Sequence, residues 1–174
     1  KEGVDWASKA IGYKFTNFNF GHSNIYNELY NPKGQILGKE YTFPFPDNHF
    51  DFIFLTSVFT HMLTDDVQNY LKEISRVLKP GGTCLITYFL LNDESLSQIS
   101  RGKSTIDFKY DYGDCLTNNS EIPEDAIAYK EDKIRKIYSK LNLSIAEPIN
   151  YGSWCDRDNY LSYQDIIVAK QLVQ

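Results

Sequence analysis

From Phe50 to Ser57 the chain is almost continuously apolar and aromatic, which predicts a strand covered on both faces, as in a parallel sheet. Val67, Tyr70, Leu71, Ile74, Val77 and Leu78 then recur at three- and four-residue spacing and predict an amphipathic helix. Thr64 is placed to cap it, with Asp65 and Asp66 at its positive end. Lys79-Pro80-Gly81-Gly82 ends the helix, because proline cannot continue one and glycine accepts positive φ. Thr83 to Leu91 is the next buried run. Strand, helix, Pro-Gly turn and strand is the order of a parallel sheet with a crossover helix.

The flanks are less regular. Lys1 to Ile11 predicts a helix with Val4, Ser8 and Ile11 on one face, ended by Gly12. No N-cap precedes it, which suggests a chain that starts inside a domain. Asn17 to His22 alternates, with Phe18 and Phe20 on one side, and predicts a short strand; Asn31-Pro32-Lys33-Gly34 predicts a turn. Asn92 to Ala128 is polar and long for a plain connection, so it reads either as a lid or substrate-binding insertion or as a floppy loop. Tyr129 to Leu141 predicts a second amphipathic helix. Leu143 to Tyr151 and Leu161 to Lys170 predict two strands around a loop that holds Trp154.

Composition narrows the function. A length of 174 residues suits one domain. The net charge of −5, with no Lys/Arg block longer than two residues, disfavours broad contact with a phosphate backbone, so no nucleic-acid partner is expected. No apolar run approaches the ~20 residues that span a bilayer, so no membrane association is expected. Cys84, Cys115 and Cys155 are odd in number and form no CxxC pair, which fits a reducing, cytoplasmic setting. His22 and His49 have no partner at metal-ligand spacing, and no metal is expected.

Phe50-Asp51-Phe52-Ile53-Phe54 followed by His61, and then Arg76-Val77-Leu78-Lys79-Pro80-Gly81-Gly82, resembles the second half of a class I S-adenosylmethionine-dependent methyltransferase. The resemblance implies an α/β, Rossmann-like, mostly parallel sheet of order 3-2-1-4-5-7-6 with a C-terminal antiparallel hairpin. On that template Asn17 to His22 matches strand three, Phe50 to Ser57 strand four and Thr83 to Leu91 strand five. Leu143 to Tyr151 and Leu161 to Lys170 match the terminal hairpin. The glycine-rich loop and the ribose-binding acid that open the family fold have no match. The expectation is therefore one N-terminally incomplete domain over 1–174, with 92–128 as its insertion. Removing the strands that sit between strands three and four bares an edge on Phe50 to Ser57, and an open edge invites pairing, so a homodimer is expected.

The resemblance also implies site residues. Asn24 and Ile25 follow strand three and would meet the adenine of S-adenosylmethionine, and Thr56, Ser57 and Val58 would line its methionine end. His61 would be the general base. Tyr88, Tyr110, Tyr151 and Trp154 are the aromatic candidates for the acceptor's walls. The function implied is methyl transfer to a small molecule, weak or absent in the chain alone. Two rival readings are a non-catalytic remnant of the fold that serves dimerisation, and another nucleotide-binding Rossmann enzyme such as a reductase.

Overall fold

The computed structural model of the chain describes residues 2–173. It opens on α1 (Glu2–Ala7), which runs on as a π-helical turn over Ser8–Gly12. Lys1, included in the expected helix, lies outside the described residues. Asn17 to His22 forms no strand. With no neighbouring strand to pair with, its rings stack on one another instead, Phe18 on Phe20 with centroids 6.4 Å apart. The Asn31–Gly34 turn forms as the sequence predicts, closed by Gly34 N–H to the Asn31 carbonyl at 2.9 Å. It lays Ile36 beside Ile25 in a single parallel bridge. A Cβ on Gly34 would stand 2.4 Å from the Ile25 carbonyl, so glycine is what admits this approach.

β1 (Phe50–Leu55), α2 (Thr64–Val77) and β2 (Leu78–Tyr88) form the parallel crossover unit. Beyond it come β3 (Leu90–Leu91), α3 (Asp93–Ser100), β4 (Tyr110–Asp111), β5 (Cys115–Thr117), β6 (Ile127–Lys130), α4 (Glu131–Lys140), β7 (Leu143–Ile145) and β8 (Asp165–Gln171). The main sheet has the order β1-β2-β8-β7, with β8 antiparallel to both neighbours. That is the 4-5-7-6 part of the expected order.

Several boundaries move for physical reasons. Leu63, not Thr64, takes the N-cap position of α2, with no side-chain bond. The helix passes directly into β2 at Leu78, because Asn48 and His49 N–H already pair with the Arg76 and Val77 carbonyls at 3.0 and 2.8 Å. Pro80-Gly81-Gly82 therefore becomes an irregularity within the strand. The register jumps from Phe50↔Leu78 to Phe52↔Thr83, with Gly81 at φ +80°. Tyr129 and Lys130 belong to β6, so α4 starts two residues later than the periodicity predicts.

The run Thr83 to Leu91 divides at Phe89. β2 stays in the main sheet, and β3 joins a second sheet of order β3-β6-β5-β4. Residues 92–128 thus carry regular structure of their own, and α3 opens on a reciprocal cap between Asn92 and Ser95. The main core lies between the first sheet and α2 and α4, around Phe59, Leu71, Ile74, Ile86, Tyr88, Ile134 and Tyr138. A smaller core of Phe89, Phe108, Trp154 and Cys155 holds the insertion.

β1 is an edge strand with one bare face. Phe52 is 53% and Phe54 65% exposed, against the expectation of cover on both sides. Its approach is fixed by Arg76. The guanidinium donates to the Phe43 and Phe45 carbonyls at 3.0 and 2.9 Å, to Asp47 at 2.8 Å and to Glu73 at 2.6 Å. Glu73 in turn accepts from Phe43 N–H at 2.8 Å.

Candidate active site

The carboxyl end of β1 turns at Ser57, which has φ 55°. A non-glycine residue held in the left-handed region is strained and persists only where its surroundings fix it. Two bonds do so here: Ser57 N–H donates to Thr87 Oγ1 at 2.8 Å, and its hydroxyl donates to Gln164 Oε1 at 3.1 Å. A short 3-10 turn over Phe59–His61 follows, anchored by buried Phe59 and Thr60. It delivers His61 to the mouth of a cavity of about 420 Å³. Open α/β sheets bind ligands at this edge, and a cavity of this size takes a small molecule.

His61 is held on three sides. Asn27 Nδ2 donates to its carbonyl at 2.8 Å. Ring Nδ1 lies 3.1 Å from the Glu124 carbonyl, which can only accept, so Nδ1 carries a proton and in the neutral ring the lone pair sits on Nε2. The Tyr30 hydroxyl lies 3.4 Å from Nε2, with its ring edge-on at 5.0 Å between centroids. The loop that carries Tyr30 is wound by Asn27, whose Oδ1 accepts from Leu29 and Tyr30 N–H at 3.2 and 2.8 Å.

Of the residues inferred to hold a cofactor, Ile25, Ser57 and Val58 line this cavity together with His61. Asn24 and Thr56 are not on its wall. The Asn24 carbonyl is taken by Gln35 and Ile36 N–H at 3.1 and 3.3 Å, and its side-chain oxygen lies 3.3 Å from Asn31 Nδ2.

The four aromatic residues expected at the acceptor's walls do not line it. Tyr88 is wholly buried, its hydroxyl 2.9 Å from that of Tyr138. Trp154 is wholly buried too, and its indole N–H donates to Asp165 Oδ2 at 2.8 Å. Both polar tips are satisfied inside the core, which leaves these rings nothing to offer a ligand. Tyr110 lies on β4 under the Lys109 ammonium, 5.4 Å from its ring centroid. Tyr151 faces a separate depression, where its hydroxyl donates to Glu131 and the Arg157 guanidinium stacks 4.8 Å from its centroid.

Other side chains complete the wall. Tyr70 has its hydroxyl pushed up to about 12 by burial. Asp66 is raised above the usual carboxylate range by burial, against bonds from Lys39 and Leu63 N–H. Glu124, from the insertion, is raised for the same reason; it accepts from Glu28 N–H and feels the charge of Asp66. The spacing of Asn27 and Tyr30 was available as an Asx-turn signal, but nothing local marks Glu124, which lies 63 residues beyond His61.

Among the described residues no group of three His, Cys, Asp or Glu side chains is placed to hold a metal ion, and no helix is long and apolar enough to cross a membrane. All three cysteines are free and buried.

The profile of the Methyltransferase domain family matches residues 5–86, which run from the end of α1 through β1 and α2 to most of β2. Over that stretch, just under half of its length, the chain is similar to methyltransferase domains, and its fold is that of S-adenosylmethionine-dependent methyltransferases. Across 98% of its length, and 68% of the other chain, the chain superposes on the PH0226 protein of Pyrococcus horikoshii with a TM-score of 0.58 at 15% identity. A SAM-dependent methyltransferase of Methanosarcina mazei gives 0.54 at 17% identity, with coverage of 100% and 79%. In sequence it is 26% identical, over 110 residues, to the tRNA N(3)-cytidine methyltransferase METTL2 of Bos taurus; these are 63% of this chain and 28% of the relative. The chain thus spans less than a third of the length of the curated relatives it matches.

Proposed function

We propose that this domain takes part in methyl transfer from S-adenosylmethionine to a small-molecule acceptor, with the His61 cavity as the reaction site. The observation that carries this reading is the meeting of Ile25, Ser57, Val58 and His61 around one cavity at the carboxyl edge of the parallel strands. S-adenosylmethionine supplies an electrophilic methyl on a sulfonium, so the protein's task is alignment and removal of one proton.

The residues divide that task. Ile25 and Val58 offer apolar wall, and the strained Ser57 turn fixes the end of β1. In the neutral ring with Nδ1–H on the Glu124 carbonyl, the Nε2 lone pair is the group that takes the acceptor's proton. Buried Phe59 and the Glu124 segment hold the imidazole in place. A net charge of −5 and a cavity of molecular size favour a small acceptor over a nucleic acid, although the METTL2 relatives are named for tRNA. The bare edge of β1, with Phe52 and Phe54 exposed, supports self-pairing into a homodimer, and three reduced thiols fit a cytoplasmic setting.

Titration with S-adenosylhomocysteine, followed residue by residue by NMR, tests the site even at weak affinity. Shifts should gather on Ile25, Ser57, Val58 and His61. Shifts confined to the Tyr151 depression, or none at millimolar ligand, would refute the assignment. In a methyl-transfer assay His61→Ala should lower kcat by ~10²-fold or more, with the S-adenosylhomocysteine shifts elsewhere retained.

A further inference from the structure

The reading above leaves the charge of the His61 cavity unassigned. Asp66 and Glu124 both line it, and no Lys or Arg does. Neither carboxylate forms an ion pair among the described residues. The pair is fixed rather than free to turn to water: backbone N–H groups of Lys39 and Leu63 hold Asp66, and that of Glu28 holds Glu124. Lys39 is the one cation that acts on Asp66, and it does so from outside the lining. Three tyrosines, Tyr26, Tyr30 and Tyr70, share the same wall.

We propose that the methyl acceptor is an amine that enters as its ammonium ion, seated between the Asp66 and Glu124 carboxylates and the tyrosine rings. This rests on reading the cavity as a methyl-transfer site. Two half-desolvated carboxylates that repel each other are a cost in the empty protein, and a cation bound between them offsets both the repulsion and the lost hydration. Aromatic faces attract a cation further. An acidic acceptor meets the opposite: repulsion from both carboxylates and no counter-charge. A neutral alcohol gains nothing from either.

His61 completes the chemistry. One N–H of the ammonium gives its proton to Nε2, next to the Tyr30 hydroxyl. The freed nitrogen lone pair forms a bond to the methyl carbon of a methylsulfonium donor. The carbon–sulfur bond breaks with its electron pair kept by sulfur, which leaves a neutral thioether and a methylated ammonium.

Three probes of one shape and different charge test this by calorimetric titration of the chain: 2-phenylethylamine, 2-phenylethanol and phenylacetate. The amine should bind at least ten-fold more tightly than the alcohol, and phenylacetate should give no heat. Glu124→Gln and Asp66→Asn should each weaken the amine at least five-fold and leave the alcohol unchanged, with circular-dichroism melts showing that both variants fold. Equal binding of the three probes, no binding of any, or variants that leave the amine unmoved would overturn the proposal. The donor is itself a sulfonium, so S-adenosylmethionine and neutral S-adenosylhomocysteine are titrated in parallel. Variants that weaken S-adenosylmethionine alone would assign the carboxylates to the donor and reject the amine. If S-adenosylhomocysteine fails to bind while amine selectivity holds, the methyl-transfer reading fails and the cation site stands.

Discussion

Arg76→Ala tests whether one guanidinium holds the approach to β1. The side chain bridges α2 to the Phe43–Asp47 segment through three groups at 2.8 to 3.0 Å and pairs with Glu73 on α2 itself at 2.6 Å. Its loss leaves Glu73, only 6% exposed, with Phe43 N–H as its remaining partner. Stranding that carboxylate costs about 2 kcal/mol, in line with hydrogen bonds to charged groups. The two orphaned carbonyls lie near solvent and add roughly 1 kcal/mol between them. The exposed Asp47 pair contributes at most a few tenths. A total near 3 kcal/mol lowers Tm by about 6–12 °C in a chain of this length. Urea unfolding should show a lower midpoint at unchanged m. Glu73→Gln in the Arg76→Ala background should recover part of the loss, because no buried charge then lacks a partner. A loss below ~1 kcal/mol, or no coupling in the double-mutant cycle, would refute the clamp.

Tyr88→Phe should cost about 1–2 kcal/mol by leaving the Tyr138 hydroxyl buried without its partner, and Tyr88→Phe with Tyr138→Phe should be nearly neutral in the same urea assay. Neither change should alter the S-adenosylhomocysteine shifts, because Tyr88 is off the cavity wall. On the acid side, the Arg76 hydrogen bond holds the Glu73 carboxyl below its ordinary value. Its contribution is therefore full above the unfolded value of about 4.3 and is lost as pH falls through the native one. Unfolding midpoints measured from pH 6 down to 3 should drop less steeply in Glu73→Gln than in the parent chain.

The strand-helix-strand unit was legible because periodicity and turn chemistry agreed. Val67 to Val77 is buried at the spacing the pattern gave, and the hairpin of β7 and β8 took its place beside β2. Three misses share one cause, that burial is decided by neighbours the sequence does not name. Phe18 and Phe20 alternate like a strand but meet no partner strand. Phe52 and Phe54 look like core and lie on an open face. Tyr88 and Trp154 look like pocket walls and spend their polar tips on Tyr138 and Asp165. That Ser57 and His61 would meet at one cavity was legible because strand ends have an assigned place in such sheets. Glu124 and Tyr30 were not, since tertiary folding alone carries them to the imidazole.

The break at Phe89 makes the site and the insertion parts of one mechanical linkage. Thr87, whose hydroxyl accepts from Ser57 N–H, stands three residues before Leu90, the first residue that the insertion's sheet claims. Leu90 N–H is pinned to Asp165, and Gln164 beside it accepts from Ser57. A tilt of the smaller sheet would thus reach the strained turn from two directions. A molecule that wedges the insertion would be felt at the end of β1 without touching it.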